Sequence, residues 1–314
     1  MSACSEGGER MSKSDRSPRP NAIRLSAADK ATMAVIYTLL TLAVFVTVYP
    51  LVFVFSASIS DPNAVYAGKV WLFPKGIQWR GYVEVFSSRL VFVGYRNSFI
   101  YLVLGTALNL FVTFTGAYAL SRRDIYLRGL LTGIIVFTMW FNGGMIPTFL
   151  LVKSLGLVDS FWAMIVIGAV NAYNFIICRS FIQNSVPEEL QEAGRIDGCN
   201  DFMLCLKIVL PLSGPIIAVL TLYYGLEHWN GYFNAMLYLN SRELQPLQIF
   251  LREILLQDQT IDMSRDLESL QEIELLKRVM KYSLIIVASL PMLILYPFLQ
   301  RFFAQGVMIG AIKG

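Results

Sequence analysis

Residues 183–211 read QNSVPEELQEAGRIDGCNDFMLCLKIVLP. Ser185 and Glu188 stand at the spacing of a capping box, and Pro187 suits a first helical turn, where its missing N–H costs nothing. Val186, Leu190 and Ala193 then share one helical face, with Glu188, Glu189, Glu192 and Arg195 mostly elsewhere. Asp197–Gly198 predicts the stop, because glycine accepts the left-handed backbone of a C-terminal cap. Asn200 is placed to cap a second helix that carries Phe202, Cys205, Leu206 and Val209 as far as Pro211. The segment is expected to fold as helix, glycine turn, helix. Two readings stay open. It is an amphipathic connector lying on a membrane surface, or a docking element whose apolar face and charged rim enter a partner's groove.

The chain around it is built for lipid. Hydrophobic residues make up 55% of the 314 and charged residues 15%, and mean hydropathy is +0.55. A soluble domain carries roughly a quarter charged residues, so this chain lacks the charge to cover itself in water. Disorder, a coiled coil and a collagen-like fibre are excluded on the same ground. A formal net charge of +4 over this length gives no basic face, which excludes nucleic acid as a partner. One histidine, His228, rules out a multi-histidine metal site. Cys4, Cys178, Cys199 and Cys205 form no C-x-x-C pair and suggest neither a zinc module nor a disulfide framework. No catalytic, metal-binding or cofactor-binding group stands out.

Six stretches are free of Asp, Glu, Lys and Arg: 31–60, 97–121, 129–152, 160–178, 208–226 and 282–300. Each meets the length of about 20 residues that a helix needs to cross the hydrocarbon. The fifth continues past Glu227 and His228 into 229–239. The expectation is an all-α integral membrane protein with six transmembrane helices, because only helices and closed barrels satisfy the backbone in lipid. Pro147, Pro215, Pro291 and Pro297 mark tolerable kinks. Arg10, Lys13, Arg16, Arg19, Arg24 and Lys30 before the first span, and Arg122, Arg123 and Arg128 after the second, place both termini in the cytoplasm by the positive-inside rule. That leaves 61–95, 153–159 and 240–281 outside. Residues 1–30, polar and Ser-rich, read as a disordered cytoplasmic tail rather than a secretory signal. The six-helix domain is drawn at 31–302, with 303–314 as a C-terminal tail.

Glu192-Ala193-Gly194, then three residues, Gly198, nine residues and Ile208-Val209-Leu210-Pro211 closely resemble the EAA loop of ABC-importer permeases. The preceding Pro187-Glu188-Glu189-Leu190 and Asp197 match as well. That family usually has Ala where Gly194 stands. The segment FNGGMIPTFLLVKSLGLVDSFWA (141–163) and the tail LQRFFAQGVMIGAIKG (299–314) look like the maltose-type carbohydrate permeases, nearest the subset handling complex oligosaccharides. The resemblance runs from about residue 30 to the end. It implies a type I ABC importer permease in a bacterial cytoplasmic membrane, with loop 183–211 as a cytoplasmic helix–turn–helix that couples to an ATPase. Glu192, Ala193, Gly194, Asp197, Gly198 and Pro211 would carry that coupling. It further implies a second six-helix permease, usually as a heterodimer, a cytoplasmic ABC ATPase dimer holding ATP and Mg, and an extracellular solute-binding protein. The tail 303–314 would reach between the ATPases. No G-x-x-x-x-G-K-[ST] occurs here, so ATP hydrolysis falls to a separate subunit.

Sugar recognition needs aromatic faces and amide or carboxylate groups. Asn142, Asn174, Glu227, His228, Trp229 and Asn230 are such residues inside spans, where polar groups face a water-filled path or a partner helix. Trp140, Phe141, Asn171, Tyr173, Tyr232 and Asn234 are lesser candidates, and Trp71, Trp79 and Tyr82 are candidate contacts for the binding protein. The alternatives are an ABC importer for a non-sugar solute and a proton-coupled carrier using Glu227–His228. The carrier usually needs more spans or an internal repeat, and neither is present.

Overall fold

The computed structural model describes residues 26–256 and 280–298, every ordered element of which is helical. In chain order these are α1 (Ala27–Ser58), α2 (Pro62–Tyr66), α3 (Arg80–Ser87), α4 (Arg89–Ser121), α5 (Arg128–Trp140), α6 (Met145–Ser154) and α7 (Ala163–Val166). There follow α8 (Ala172–Ser185), α9 (Glu188–Ile196), α10 (Asp201–Leu204), α11 (Leu210–Leu212), α12 (Gly214–Asn230), α13 (Tyr232–Tyr238) and α14 (Leu247–Leu256). The last, α15, is Met280–Phe298. Residues 1–25 of the expected tail, 257–279 of the 240–281 loop, and 303–314 lie outside the described residues. Within that loop, Leu247–Leu256 is helical.

Helices α1, α4 and α15 are each long and apolar enough to cross a membrane. Two bent pairs raise the number to five: α5 with α6 at 115°, and Asp201–Leu212 with α12 at 82°. The fourth apolar stretch, expected as one helix over 160–178, is broken. Gly168 takes a positive φ of 80°, and the Asn171 side chain accepts hydrogen bonds from the Tyr173 and Asn174 N–H groups to start α8 afresh. Asparagine caps a helix better than it continues one, so apolar run-length overstated continuity here. Pro147 and Pro215 do not kink helix interiors. They stand in the first turns of α6 and α12, immediately after the two sharp bends, where proline removes no hydrogen bond.

The chain divides into a unit ending at Leu51 and a unit starting at Val52. In the first, every described residue from Ser26 to Leu51 is exposed, although the run carries no charge after Lys30 and is mostly apolar. Such a surface belongs in hydrocarbon, not in water.

In the second unit α4 is the axis, packing against α3, α7, α8, α12 and α14. Three glycines make this possible. A Cβ on Gly94 would lie 2.7 Å from the Phe250 ring, on Gly105 2.4 Å from His228, and on Gly116 2.9 Å from Phe175. Their spacing is 11 residues, close to three full turns at 3.6 residues per turn. They therefore form one groove, and each position receives a ring from a different helix. In lipid there is little water-release drive between helices, so close approach of this kind supplies the packing energy. Between the glycines α4 carries buried polar residues that satisfy non-helical backbone. Asn97 Nδ2 donates to the Glu243 and Gln245 carbonyls at 2.6 and 3.1 Å. Tyr101 Oη donates to Leu244 O at 2.8 Å, Asn109 Nδ2 to Gly168 O at 3.3 Å, and Ser98 Oγ accepts from Leu247 N–H at 2.9 Å. Buried backbone outside regular helices is viable only with such partners.

Candidate functional site

Proline sets how α9 begins. A residue before proline is driven out of the helical region, and Val186 is extended at φ −106°, ψ 105°. Ser185 is thereby left as the last residue of α8, and Pro187, not Ser185, is the N-cap of α9, with no side-chain cap. The expected Ser185–Glu188 capping box does not form. Glu188 instead meets Arg123 at 3.1 Å.

The far end of α9 closes as expected. Cys199 N–H donates to Gly194 O at 2.9 Å and Gly198 N–H to Arg195 O at 3.0 Å, the two bonds of a Schellman motif. Gly198 has φ +84°, a conformation costly to any residue with a Cβ. Asn200 Oδ1 then accepts from Met203 N–H at 2.8 Å and starts α10. Cys205–Val209 is a π-helical turn, with Leu210 N–H reaching back to Cys205 O. The turn sits directly before Pro211, which has no N–H to continue an α-ladder.

The faces of α9 differ from the sequence expectation in one respect. Val186 is buried but lies outside the helix, while Leu190 and Ala193 point outward. Gly194 is the buried residue: a Cβ there would lie 2.5 Å from Leu204 Cδ2 and 2.8 Å from Ile208 Cδ1. The glycine thus lets α9 lie directly on the segment that follows it. What α9 shows outward is Leu190, Glu192, Ala193 and Ile196, the last 86% exposed.

A charge cluster ties this element to the turn after α4. Arg122, its side chain only 10% exposed, donates to both Asp124 and Asp201. Arg195 Nη2 lies 3.0 Å from Asp124 Oδ2 and 4.0 Å from Asp201 Oδ1. The hydrogen bond to Asp124 pushes the Arg122 guanidinium up, and the same bond holds the Asp124 carboxyl well below the usual carboxylate range. Around it, Arg179 Nε donates to Leu120 O at 2.9 Å and Gln183 Nε2 to Ser121 O at 3.1 Å. These satisfy carbonyls that the end of α4 leaves open. A polar hollow of about 560 Å³ lies beside the cluster, with Arg128, Asn184, Gln191 and Glu192 in its walls.

The six residues proposed for a sugar path separate into two groups. Asn142, Glu227 and Asn230 are exposed, although Asn142 Oδ1 also accepts from Gly144 N–H at 2.8 Å. The others pack inside the chain. Trp229 is 2% exposed, donates through Nε1 to Ala288 O at 2.9 Å and meets Tyr95 edge-on at 5.7 Å. His228 Nε2 lies 3.2 Å from Asn109 Oδ1, and Asn174 is buried in the first turn of α8. Trp71 and Trp79 are exposed, whereas Tyr82 Oη is 2.8 Å from Ser58 Oγ.

No family model matches the chain, but whole-chain relatives do. It is 42% identical over 281 residues to the polygalacturonan/rhamnogalacturonan transport system permease protein YtcP of Bacillus subtilis (strain 168), covering 89% of this chain and 97% of that protein. Protein LplC of the same organism is 39% identical over 270 residues, 86% of this chain and 90% of its own length. This chain belongs to the permease subunits of carbohydrate ABC transporters. The permease also superposes with a TM-score of 0.81, at 34% identity, on a chain of a bacterial ABC transporter that imports the acidic polysaccharide alginate. The match covers 89% of this chain and 99% of that one.

The charge cluster is the part of the permease's site that sequence reading missed. Arg122 carried only a topology signal and Asp124 none, and nothing in the sequence joined Asp124 to Arg195, 71 positions away, or Arg122 to Asp201, 79 positions away. Asn97, Tyr101 and Asn109 were also missed, although polar residues within an apolar run are a signal that marks interhelical work.

Proposed function

We propose that this permease is one half of the membrane pathway of an importer for acidic oligosaccharides. It crosses a bacterial cytoplasmic membrane six times, with both termini in the cytoplasm. The fourth crossing is the broken segment from α7 through α8. Uronate-rich chains are the favoured cargo because polygalacturonan and alginate, named for two of its relatives, are both polyuronates. A second six-helix permease completes the pathway, and a solute-binding protein delivers the sugar from outside. Exposed Asn142, Glu227 and Asn230 face the sugar, while Asn174, His228 and Trp229 hold the wall behind them.

The observation that carries the coupling half of this reading is the outward edge of α9. Leu190, Ala193 and Ile196 are apolar, exposed and mounted on a helix fixed at its far end by the Schellman motif. An ATPase groove would bury that edge, with Glu192 at its polar rim. Asp197 and Gly198 set the angle to the following helix, and Pro211 marks where that helix enters the membrane. ATP and Mg sit on the ATPase. Its closure around ATP moves the loop, and the spans alternate between inward- and outward-open states only because ATP favours one of them.

The test is reconstitution of the four kinds of subunit in proteoliposomes. Labelled oligogalacturonate should enter only with ATP, and Ile196→Asp should release the ATPase from the complex during purification. Uptake that follows a proton gradient and ignores ATP would refute the reading.

A further inference from the structure

We infer that Arg122, Asp124, Arg195 and Asp201 form a rigid clamp that makes the α9 loop move as one body with α4. The inference rests on the importer reading above and deepens it: docking on an ATPase explains how force enters α9, and the clamp explains where it goes next.

The geometry is specific. The cluster joins three places in the chain: the turn after α4, the last turn of α9 and the first residue of α10. Arg122 holds Asp124 on one side and Asp201 on the other, and Arg195 spans the same two carboxylates at 3.0 and 4.0 Å. Two cations and two anions alternate, so no charge is left in excess. Each guanidinium presents several donors in a fixed fork, which sets angle as well as distance. Tyr118 Oη, one turn earlier on α4, adds a contact to Asp201 O at 3.5 Å. Beneath this, Gly194 lets α9 rest on Leu204 and Ile208. The α9–α10 pair is therefore internally packed, and the ion cluster ties its last turn and the start of α10 to the turn that ends α4, while Arg123 and Glu188 pair at the opposite end of α9. That helix in turn contacts α3, α7, α8, α12 and α14. A displacement of α9 thus reaches these helices through α4 as well as along the chain's own connection to α12, which turns through 82°.

An isolated exposed ion pair contributes little to stability. The inference concerns position, and its test reads coupling instead. In the full reconstituted importer, Asp124→Cys is combined with Arg195→Cys and with Asp201→Asn, which removes the remaining anion from Arg122, and Cys4 and Cys199 are replaced by Ser. Unbridged, this variant should keep its ATPase on purification and keep its KM for ATP, while sugar carried per ATP falls at least threefold. Bridging the two thiols with a short bismaleimide should return that ratio to within twofold of the native complex, because two parts that travel together tolerate a covalent tie. Loss of uptake on bridging would overturn the clamp, as would a native ratio in the unbridged variant. Should that variant not assemble, Arg195→Met against Arg195→Lys gives the same decision. Met should lose the ratio and Lys, which keeps the charge without the fork, should keep part of it; a native ratio in Arg195→Met would overturn the clamp. Failure of the importer reading looks different, since the unmodified complex would then take up sugar without ATP.

Discussion

His228 Nε2 lies 3.2 Å from Asn109 Oδ1, and the same ring fills the space where a Cβ on Gly105 would stand, 2.4 Å away. The lone histidine of the chain is thus a packing element between α12 and α4, with a polar partner that fixes its orientation. Gly105→Ala should force the ring aside. Overpacking of this type costs about 1–3 kcal/mol, and it should appear as a clear fall in Tm of the detergent-solubilised permease. Gly129→Ala, where the added methyl meets nothing within 4 Å, should leave Tm nearly unchanged.

Asn97→Ala removes the side-chain donor from two backbone carbonyls, those of Glu243 and Gln245. A buried acceptor left without its donor costs about 1–3 kcal/mol. The 240–247 segment should open first. Hydrogen exchange should rise there well before it rises in the interior of α4, and a uniform rise would contradict the assignment.

Gly198→Val places a β-branched residue at φ +84°. The strain exceeds about 1 kcal/mol, and the turn escapes it by giving up the Cys199–Gly194 bond. ATPase retention during purification should fall severalfold with little change in Tm, because the turn lies at the rim of the packed unit. Gly194→Ala is a separate matter. Its methyl meets the ends of Leu204 and Ile208, both flexible side chains, so a modest loss should be recovered by adding Leu204→Ala.

The charge cluster fixes the sign of a pH response. The Asp124 carboxyl is held below its ordinary value of 3.8 by the Arg122 guanidinium. A depressed acid contributes its favourable interaction above the ordinary value and loses it only as pH falls through the lowered one. Arg122, pushed up, stays charged at every usable pH. The transport-to-ATP ratio should therefore be flat through the neutral range and into mild acid. A titration near neutrality would mean that some other group governs coupling.

Fold class was legible because length and apolarity decide it: α1, α4 and α15 fall on predicted runs. The glycine stop at Gly198 and the cap at Asn200 were legible because each follows from a single residue's local chemistry. The Ser185 box failed because two local rules competed. Pro187 forbade Val186 a helical conformation and so cut Ser185 away from α9. The break at Gly168–Asn171 was hidden by a count that scores apolarity and ignores capping. The ion cluster was invisible for a different reason, since its members are near only after the helices have packed. Trp229 and Asn230 are neighbours in sequence, yet one is inside and the other outside, a distinction that helical phase alone decides.

The three-turn interval between Gly94, Gly105 and Gly116 makes α4 a ruler. Adding or deleting a single residue between any two of these positions would rotate everything beyond it by about 100°, swinging the notch away from its ring. Length changes acquired over time, or introduced to insert a tag, will therefore be tolerated in the connecting segments and refused along this one helix.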